Sequence, residues 1–306
     1  TERPRRRRRP KRWPPPFRPQ PIPQPVVVPR KLERVPGIDP STGRLRLSEI
    51  HSPGYGLRPV LEFDGVDDYV EVPHSDSLNQ PAVNDRLTVC FWMYPTGWQA
   101  DGEQDIVLKW GGSWGIWKPN GALYVTAYIK SGGSSYNIGK TPSLENEKWH
   151  HIAFVYDGSK GKAYVNGEKV DERSVGVGID EGTNPVRVGS WGGSYPFKGL
   201  ITHVLVYDRA LSEDEIRWNY THPDNPVRDG LVLWLRMDEG RDDVAYDLSG
   251  YDNHGTIHGA AWRHEKAPTG LRAPQNVIIP ARMLLPSTCS PGGLRQKYKA
   301  SKKLDS

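Results

Sequence analysis

Acidic side chains in two short segments are the sequence's candidates for metal chemistry. The first group is Asp64, Asp67 and Asp68, and a second group is Asp101, Glu103 and Asp105. Calcium prefers several hard oxygen ligands, so the first group is the better candidate for a calcium site. An aspartate followed by glycine, as in Asp64-Gly65, also stabilises a tight turn through hydrogen bonds to its own backbone. Either calcium is bound here or the protein needs no cofactor, and both interpretations stay open.

Large aromatic side chains in glycine-rich segments are candidates for binding a ligand. They are Trp98, Trp110, Trp114, Trp117, Trp191 and Tyr195. Aromatic faces on permissive backbone suit stacking on sugar rings or on a protein partner. In a β-sandwich, tryptophans also close the open ends of the core, which we expect of Trp92, Trp149 and Trp234. The pair His150 and His151 lies on a predicted strand and is expected to be structural.

Basic residues near the N-terminus are candidates for an anionic partner. They are Arg5, Arg6, Arg7, Arg8, Arg9, Lys11 and Arg12. Such a run neutralises phosphates, and nucleic-acid binding would then fall steeply with salt. The same run could equally bind an acidic protein surface, including that of another copy of this chain. Alternatively, it binds no partner and only keeps the chain soluble.

The charges of the chain are segregated. Residues 1–34 hold twelve Lys/Arg and two Glu, and residues 282–306 hold six Lys/Arg and one Asp. Since the whole chain is +5, residues 35–281 are −10. The sequence pI near 9 therefore says nothing about the partners of the acidic part.

Several classes of protein do not fit the sequence. No apolar run reaches the roughly 18 residues that a membrane span needs, and the mean hydropathy is −0.66. Two cysteines, Cys90 and Cys289, cannot build a disulfide framework. No predicted strand carries the Glu-x-Asp-x-Glu spacing with which glucanases place two carboxylates on one face. We therefore expect no enzymatic activity.

The elements that would position these residues are strands. Residues 60–207 alternate short Val-, Ile-, Tyr- and Trp-rich runs with turn signals such as Asn120-Gly121 and Asn166-Gly167. The predicted strands are 87–94, 106–109, 121–130, 149–156, 162–165, 185–189 and 201–207, with later ones within 230–240 and 254–263. One helix is predicted, opened by a capping box of Ser212 and Glu215 and ended before Pro223. This pattern indicates an all-β sandwich.

Ordered motifs resemble a laminin-G-like jelly-roll domain of the concanavalin A-like lectin/glucanase superfamily. The motifs are VLEFDGVDDYVEVP (60–73), LTVCFWMYP (87–95), KWHHIAFVYDGS (148–159), AYVNGEKV (163–170), PVRVGS (185–190) and FKGLITHVLVYDRALSEDEI (197–216). The resemblance implies two antiparallel sheets, usually without catalysis, that bind glycans or proteins and sometimes hold calcium. Many relatives have an Asp-Glu pair where this chain has Thr202 and His203, which weakens an inherited calcium site.

A segment near the end of the sandwich departs from the usual order. Residues 230–262 resemble the opening of such a domain but follow its last helix. They could begin a truncated second copy, complete their own sandwich as a permuted strand, or complete that of another protomer. The expected organisation is an Arg/Pro-rich extended arm (1–36), a linker (37–57), a sandwich (58–220), the additional strand segment (221–263) and a basic tail (264–306).

Together these features favour a non-enzymatic structural or binding protein of a surface assembly, such as a virion or an extracellular filament, anchored by its basic ends. Its partners would be other subunits or copies of itself. A glycan-binding lectin-like module that uses the loop tryptophans is the second hypothesis. Nucleic-acid binding through the arm is the third. An extracellular or virion location fits the first hypothesis.

Overall fold

The computed structural model describes residues 54–98, 102–109 and 113–269. Two eight-stranded antiparallel sheets form a sandwich. The first sheet contains β1 (Gly54–Asp64), β3 (Leu87–Pro95), β8 (His150–Tyr156), β9 (Lys160–Val165), β10 (Glu168–Ser174), β12 (Lys198–Tyr207), β13 (Leu231–Leu235) and β16 (Ala261–Thr269). The second contains β2 (Tyr69–Val72), β4 (Gln104–Lys109), β5 (Trp114–Lys118), β6 (Thr126–Ser131), β7 (Ser134–Lys140), β11 (Val186–Val188), β14 (Val244–Ala245) and β15 (Gly255–His258).

The predicted all-β sandwich is confirmed, and the core lies between the two sheets. Phe63 and Phe91 from the first sheet are fully buried with Val70, Val107 and Ile116 from the second. Because side chains alternate along a strand, these positions leave every second residue of the second sheet on its outer face. Hydrophobic burial on the inner face therefore decides which side chains the outer face can offer to a ligand.

Helices cover other parts of the sandwich. A short 3₁₀ helix (Asp76–Asn79) runs into α1 (Gln80–Val83), and α2 (Glu213–Thr221) packs outside the first sheet. The predicted capping box is present, since Ser212 accepts from the Glu215 backbone and the Glu215 side chain accepts from the Ser212 N–H. Local spacing fixed this helix start, as expected for a motif that spans four residues.

The strand order shows how the late segment is used. β13 pairs with β12, β15 with β2, and β16 with β1 of the same chain. The structure thus has the permuted arrangement, in which the segment completes its own sandwich. Gly54 and Thr269 are register partners, so the first residue of β1 and the last residue of β16 lie side by side.

Several predicted boundaries were wrong. β1 begins at Gly54, four residues inside the predicted linker, and β16 extends to Thr269, six residues into the predicted tail. β6 begins at Thr126, not at residue 121, and β4 begins at Gln104, two residues before the predicted strand. Pairing with distant strands extended β1 and β16, because their own residues are too polar and proline-containing to predict strand. The arm, most of the linker and residues 270–306 lie outside the described residues.

β12 is the strand at which the first sheet branches. Its first half pairs with β1 and its second half with β13, while β3 lies along its other side. The register with β3 shifts between Thr202 and Leu205, and His203 has a left-handed φ of 52°. This irregularity turns the buried His203 ring out of the ladder and into a polar cluster between the two branches.

The polar cluster joins the two branches through ion pairs. Arg58 of β1 donates two hydrogen bonds to Asp224, at 2.9 and 3.0 Å, and its guanidinium also lies 3.3 Å from His203 Nε2. His203 Nδ1 lies 2.9 Å from the Thr202 hydroxyl, which donates to the Arg236 carbonyl after β13. Burial opposes ionisation of Asp224, but bonds from His203 and Arg58 outweigh it and hold the Asp224 pKa well below its usual value.

His151 lies beside this cluster without a polar partner. Both of its ring nitrogens are buried and unpaired within the described part of the chain. The ring packs on Trp92 and Tyr220, with centroids 5.2 and 5.8 Å away. Burial, aided by the neighbouring His203, lowers the pKa of His151 to about 3.

We predict that replacing His151 by phenylalanine flattens the pH dependence of stability. In the unfolded wild type, His151 binds a proton as the pH falls below its usual pKa of 6.5. In the folded protein, it stays neutral until about pH 3. Folding stability therefore falls as the pH falls, by about 3 kcal/mol from this group between pH 6.5 and pH 4. Denaturant unfolding at a series of pH values measures this. Equal slopes for the wild type and His151→Phe would contradict it.

Candidate functional site

The outer face of the second sheet carries aromatic and charged side chains. On β2, Val70 and Val72 face the core, so Tyr69 and Glu71 face outward. On β5, Trp114 and Ile116 face the core, which leaves Gly115 and Trp117 outside. This alternation follows from the two-residue repeat of a strand.

One half of this face is a stack built around Arg187 of β11. The guanidinium lies 5.2 Å from the Tyr69 ring centroid and 4.3 Å from that of Trp191. Tyr69 in turn stacks on His258 at 4.4 Å with nearly parallel rings. Arg187 donates to Glu71 at 2.5 and 2.8 Å, so its charge is neutralised within the stack.

The other half depends on the missing side chain of Gly115. A Cβ atom at this position would lie 2.7 Å from the Tyr128 ring and hydroxyl, so the Tyr128 side chain lies across the glycine on the neighbouring strand. The Trp117 and Tyr128 rings pack edge to face, with their centroids 5.0 Å apart. Glycine thus makes room for a tyrosine that lies over the sheet.

Asp105 lies between these two halves. It is the register partner of Trp117, and only 8% of it is exposed. No side chain or backbone N–H of the described residues donates a hydrogen bond to its carboxylate. Burial, together with the charge of Glu103, raises the pKa of Asp105 to about 7. Its charge also contributes to the raised pKa of Tyr128, whose main cause is burial.

The loop after β11 holds Trp191 against the stack. Gly192 and Gly193 take left-handed φ values of 59° and 88°, and Trp191 and Ser194 bridge across this turn. The Asp105 N–H donates to the Tyr195 carbonyl at 2.8 Å, which ties the loop to β4. We call the resulting surface the aromatic platform; its residues are Tyr69, Asp105, Trp117, Tyr128, Arg187, Trp191 and His258.

The structure divides the aromatic residues that the sequence singled out. Trp117 and Trp191 belong to the platform, and Tyr195 beside it is 54% exposed. Trp98 and Trp114 are core residues, so the prediction that they contact a ligand is wrong. Trp98 closes the core with its indole donating to the Leu123 carbonyl. Trp110 lies outside the described residues, as do Asp101 and the basic run from Arg5 to Arg12.

The sequence did not indicate the ligand-binding role of the other platform residues. Asp105 was a candidate only for metal binding, and Tyr128 only part of a predicted strand. Tyr69, Arg187 and His258 lie at single outward positions of short strands. The usable signal was the alternation Tyr69-Val70-Glu71-Val72, which predicts one polar face. The partners across that face depend on strand order, which no local pattern contains.

The acidic group at residues 64–68 forms the turn from β1 to β2. One carboxylate oxygen from each of Asp64, Asp67 and Asp68 lies within 4.8 Å of the others. Asp68 accepts the Asp64 N–H at 2.7 Å, and Asp64 accepts the Val66 N–H at 2.7 Å. Burial raises the pKa of Asp68. The hydrogen bond from the Asp64 backbone lowers this pKa, but it offsets the effect of burial only in part. Two of the three carboxylates thus serve the turn itself.

Because of these turn bonds, we predict that Asp68→Ala lowers stability by about 1–2 kcal/mol and that calcium does not change the melting temperature of the wild type. Thermal melts in millimolar calcium and in chelator measure both effects. A calcium-dependent rise in melting temperature that disappears in Asp68→Ala would assign a metal site to this turn.

Because Asp105 is buried, we predict that replacing it by asparagine stabilises the folded protein at high pH. The folded pKa of Asp105, about 7, exceeds the ordinary aspartate value of 3.8, so the folded state holds a proton that the unfolded state releases. Stability from this group is therefore lost as the pH rises from about 4 through 7. Asp105→Asn should match the wild type at pH 4 and be about 4 kcal/mol more stable at pH 8. The exposed Asp243→Asn controls for net charge, and equal stability at both pH values would refute the prediction.

Comparison with known proteins identifies the family. The family model described as concanavalin A-like lectin/glucanases superfamily matches residues 64–217, half of the chain. The chain belongs to this superfamily. No curated protein sequence matches the chain significantly. Among the described residues, no helix is long and apolar enough to span a bilayer.

Several solved structures are similar to part of this chain. A putative carbohydrate-binding protein from Bacteroides ovatus shares 22% identity with a TM-score of 0.55, covering 70% of this chain and 62% of that one. A heptameric SAP-like pentraxin from Limulus polyphemus shares 14% identity with a TM-score of 0.41, covering 70% and 95%. The fourth domain of an extracellular arabinanase from Geobacillus stearothermophilus, in complex with arabinotriose, shares 20% with a TM-score of 0.37, covering 44% and 66%.

Proposed function

We propose that this protein is a carbohydrate-binding module whose ligand lies on the aromatic platform. The observation that carries the proposal is Asp105, a buried carboxylate that no described residue hydrogen-bonds, beside the rings of Trp117 and Tyr128. A buried carboxylate without a donor costs folding energy, and such groups concentrate at functional sites. Sugar hydroxyls would supply the missing donors.

The remaining platform residues suit the same ligand. Sugar rings present a face of C–H groups that packs on aromatic rings, and hydroxyls at the ring edge that need polar partners. Trp117 and Trp191 offer partly exposed faces, while Arg187 and Glu71 offer polar atoms fixed by their mutual ion pair. Membership in a lectin/glucanase superfamily and the carbohydrate-binding description of the Bacteroides ovatus protein support this choice.

The proposed module binds without hydrolysing. Glu103 and Asp105 do stand two residues apart, but Glu103 precedes β4 and is exposed, whereas Asp105 is buried on the strand. The surface-assembly hypothesis depends on the basic ends, which lie outside the described residues. The described residues therefore support carbohydrate binding more directly than assembly.

A glycan array followed by calorimetry tests the proposal. The wild type should bind at least one glycan class, and Trp117→Ala and Trp191→Ala should each weaken binding about 10-fold or more by removing a stacking face. Tyr251→Ala, which removes an aromatic ring 55% exposed on another loop, is the matched control and should bind normally. Unchanged binding in both tryptophan variants would refute the site.

Incubation of the bound glycan with excess protein tests the absence of catalysis. The expected result is no increase in reducing ends. Release of reducing ends that Asp105→Asn abolishes would instead make Asp105 and Glu103 catalytic.

A further inference from the structure

The strand order places Asp105 between the two stacking faces of the platform. Trp191 lies on Arg187 of β11, Asp105 is on the next strand β4, and Trp117 is on β5. Neighbouring strands are about 4.8 Å apart, so β11 and β5 are separated by about 10 Å. One sugar ring cannot cover both indoles at that separation, but a chain of two or more sugars can.

The centre of the platform is poor in available positive charge. Among the described residues on the outer face of β2, β11, β4 and β5, Arg187 is the cationic side chain. It already forms an ion pair with Glu71. Lys109 and Lys118, on β4 and β5, are buried, and their ammonium groups donate to the carbonyls of Gly182 and Gly102 at 2.6 and 2.7 Å. The acidic groups Asp105 and Glu103 have no described basic partner.

We propose that the platform selects an uncharged oligosaccharide of two or more residues, and that Asp105 determines this selectivity. This inference rests on the proposed function. Asp105 accepts hydroxyl groups from the sugars that bridge Trp117 and Trp191. A carboxylated sugar at the same place would bring a second anion beside a buried one. Among the described residues of β2, β11, β4 and β5, no available cation would compensate for it, and binding would be weakened.

Matched neutral and acidic polysaccharides test the selectivity. The probes are soluble β-glucan, mannan and galactan, each in its native form and after oxidation of the C6 hydroxyl to a carboxylate, so that the backbone linkage is unchanged. At pH 8, where Asp105 is ionised, the wild type should prefer the native form at least about 10-fold. Asp105→Asn should reduce this preference to about threefold or less by improving binding of the oxidised form.

The pH provides a second readout that a merely structural role would not give. At pH 5.5, protonation of Asp105 should bring the wild-type preference toward that of Asp105→Asn, so the difference in preference between the two proteins should be smaller than at pH 8. The difference between the proteins is the readout because any change in the charge of His258 affects both of them. Asp243→Asn, an exposed carboxylate on another loop, is the control and should behave as the wild type.

Oligosaccharides of one to four residues, cut from the polysaccharide that binds, test the length requirement. Affinity for the wild type should rise from the monosaccharide to the trisaccharide. Trp191→Ala should remove most of this rise, while affinity for the monosaccharide changes less. Equal affinity for all lengths would overturn the bridging arrangement.

The outcomes separate this inference from the proposed function. Equal or tighter binding of the oxidised polysaccharides by the wild type would overturn the selectivity and leave carbohydrate binding intact. A preference that Asp105→Asn leaves unchanged would overturn the role of Asp105. Binding of none of the probes, native or oxidised, would contradict both.

Discussion

The sandwich depends on the pairing of one strand, β12, with two different strands along the same edge. β1 pairs with its first half and β13 with its second, and the register shift at Thr202–Leu205 allows the change. Partly buried polar contacts among Arg58, Asp224 and His203 fill the fork, where a charge without its partner would be costly. β13 joins the late segment to the first sheet at this fork, and the rest of the segment continues to β15 beside β2 and β16 beside β1.

This arrangement also sets the width of the proposed binding surface. β15 adds His258 next to Tyr69, so the late segment contributes to the platform as well as to the fold. The platform keeps Asp105, a carboxylate to which no described residue donates a hydrogen bond, where we expect asparagine to give a more stable fold above neutral pH. Retaining a destabilising group on an outward face is the pattern expected where function and stability compete.

The sequence predicted features that a few neighbouring residues determine. The Ser212–Glu215 cap and the strand of Leu87–Pro95 are confirmed, because capping geometry and continuous burial are local. It could not predict that Gly115 would lie under Tyr128, or that Trp114 would be buried while Trp117 is not. Those outcomes depend on register, since a shift of one residue exchanges the two faces of a strand.

The central claim is that a glycan occupies the outer face of the second sheet. Fluorine NMR of protein labelled with 5-fluorotryptophan, with resonances assigned by Trp→Phe variants, measures this directly during titration with a bound oligosaccharide. The account predicts that the signals of Trp117 and Trp191 shift and saturate together, while those of the core residues Trp92 and Trp234 stay fixed. Saturable shifts confined to tryptophans away from the platform would contradict it.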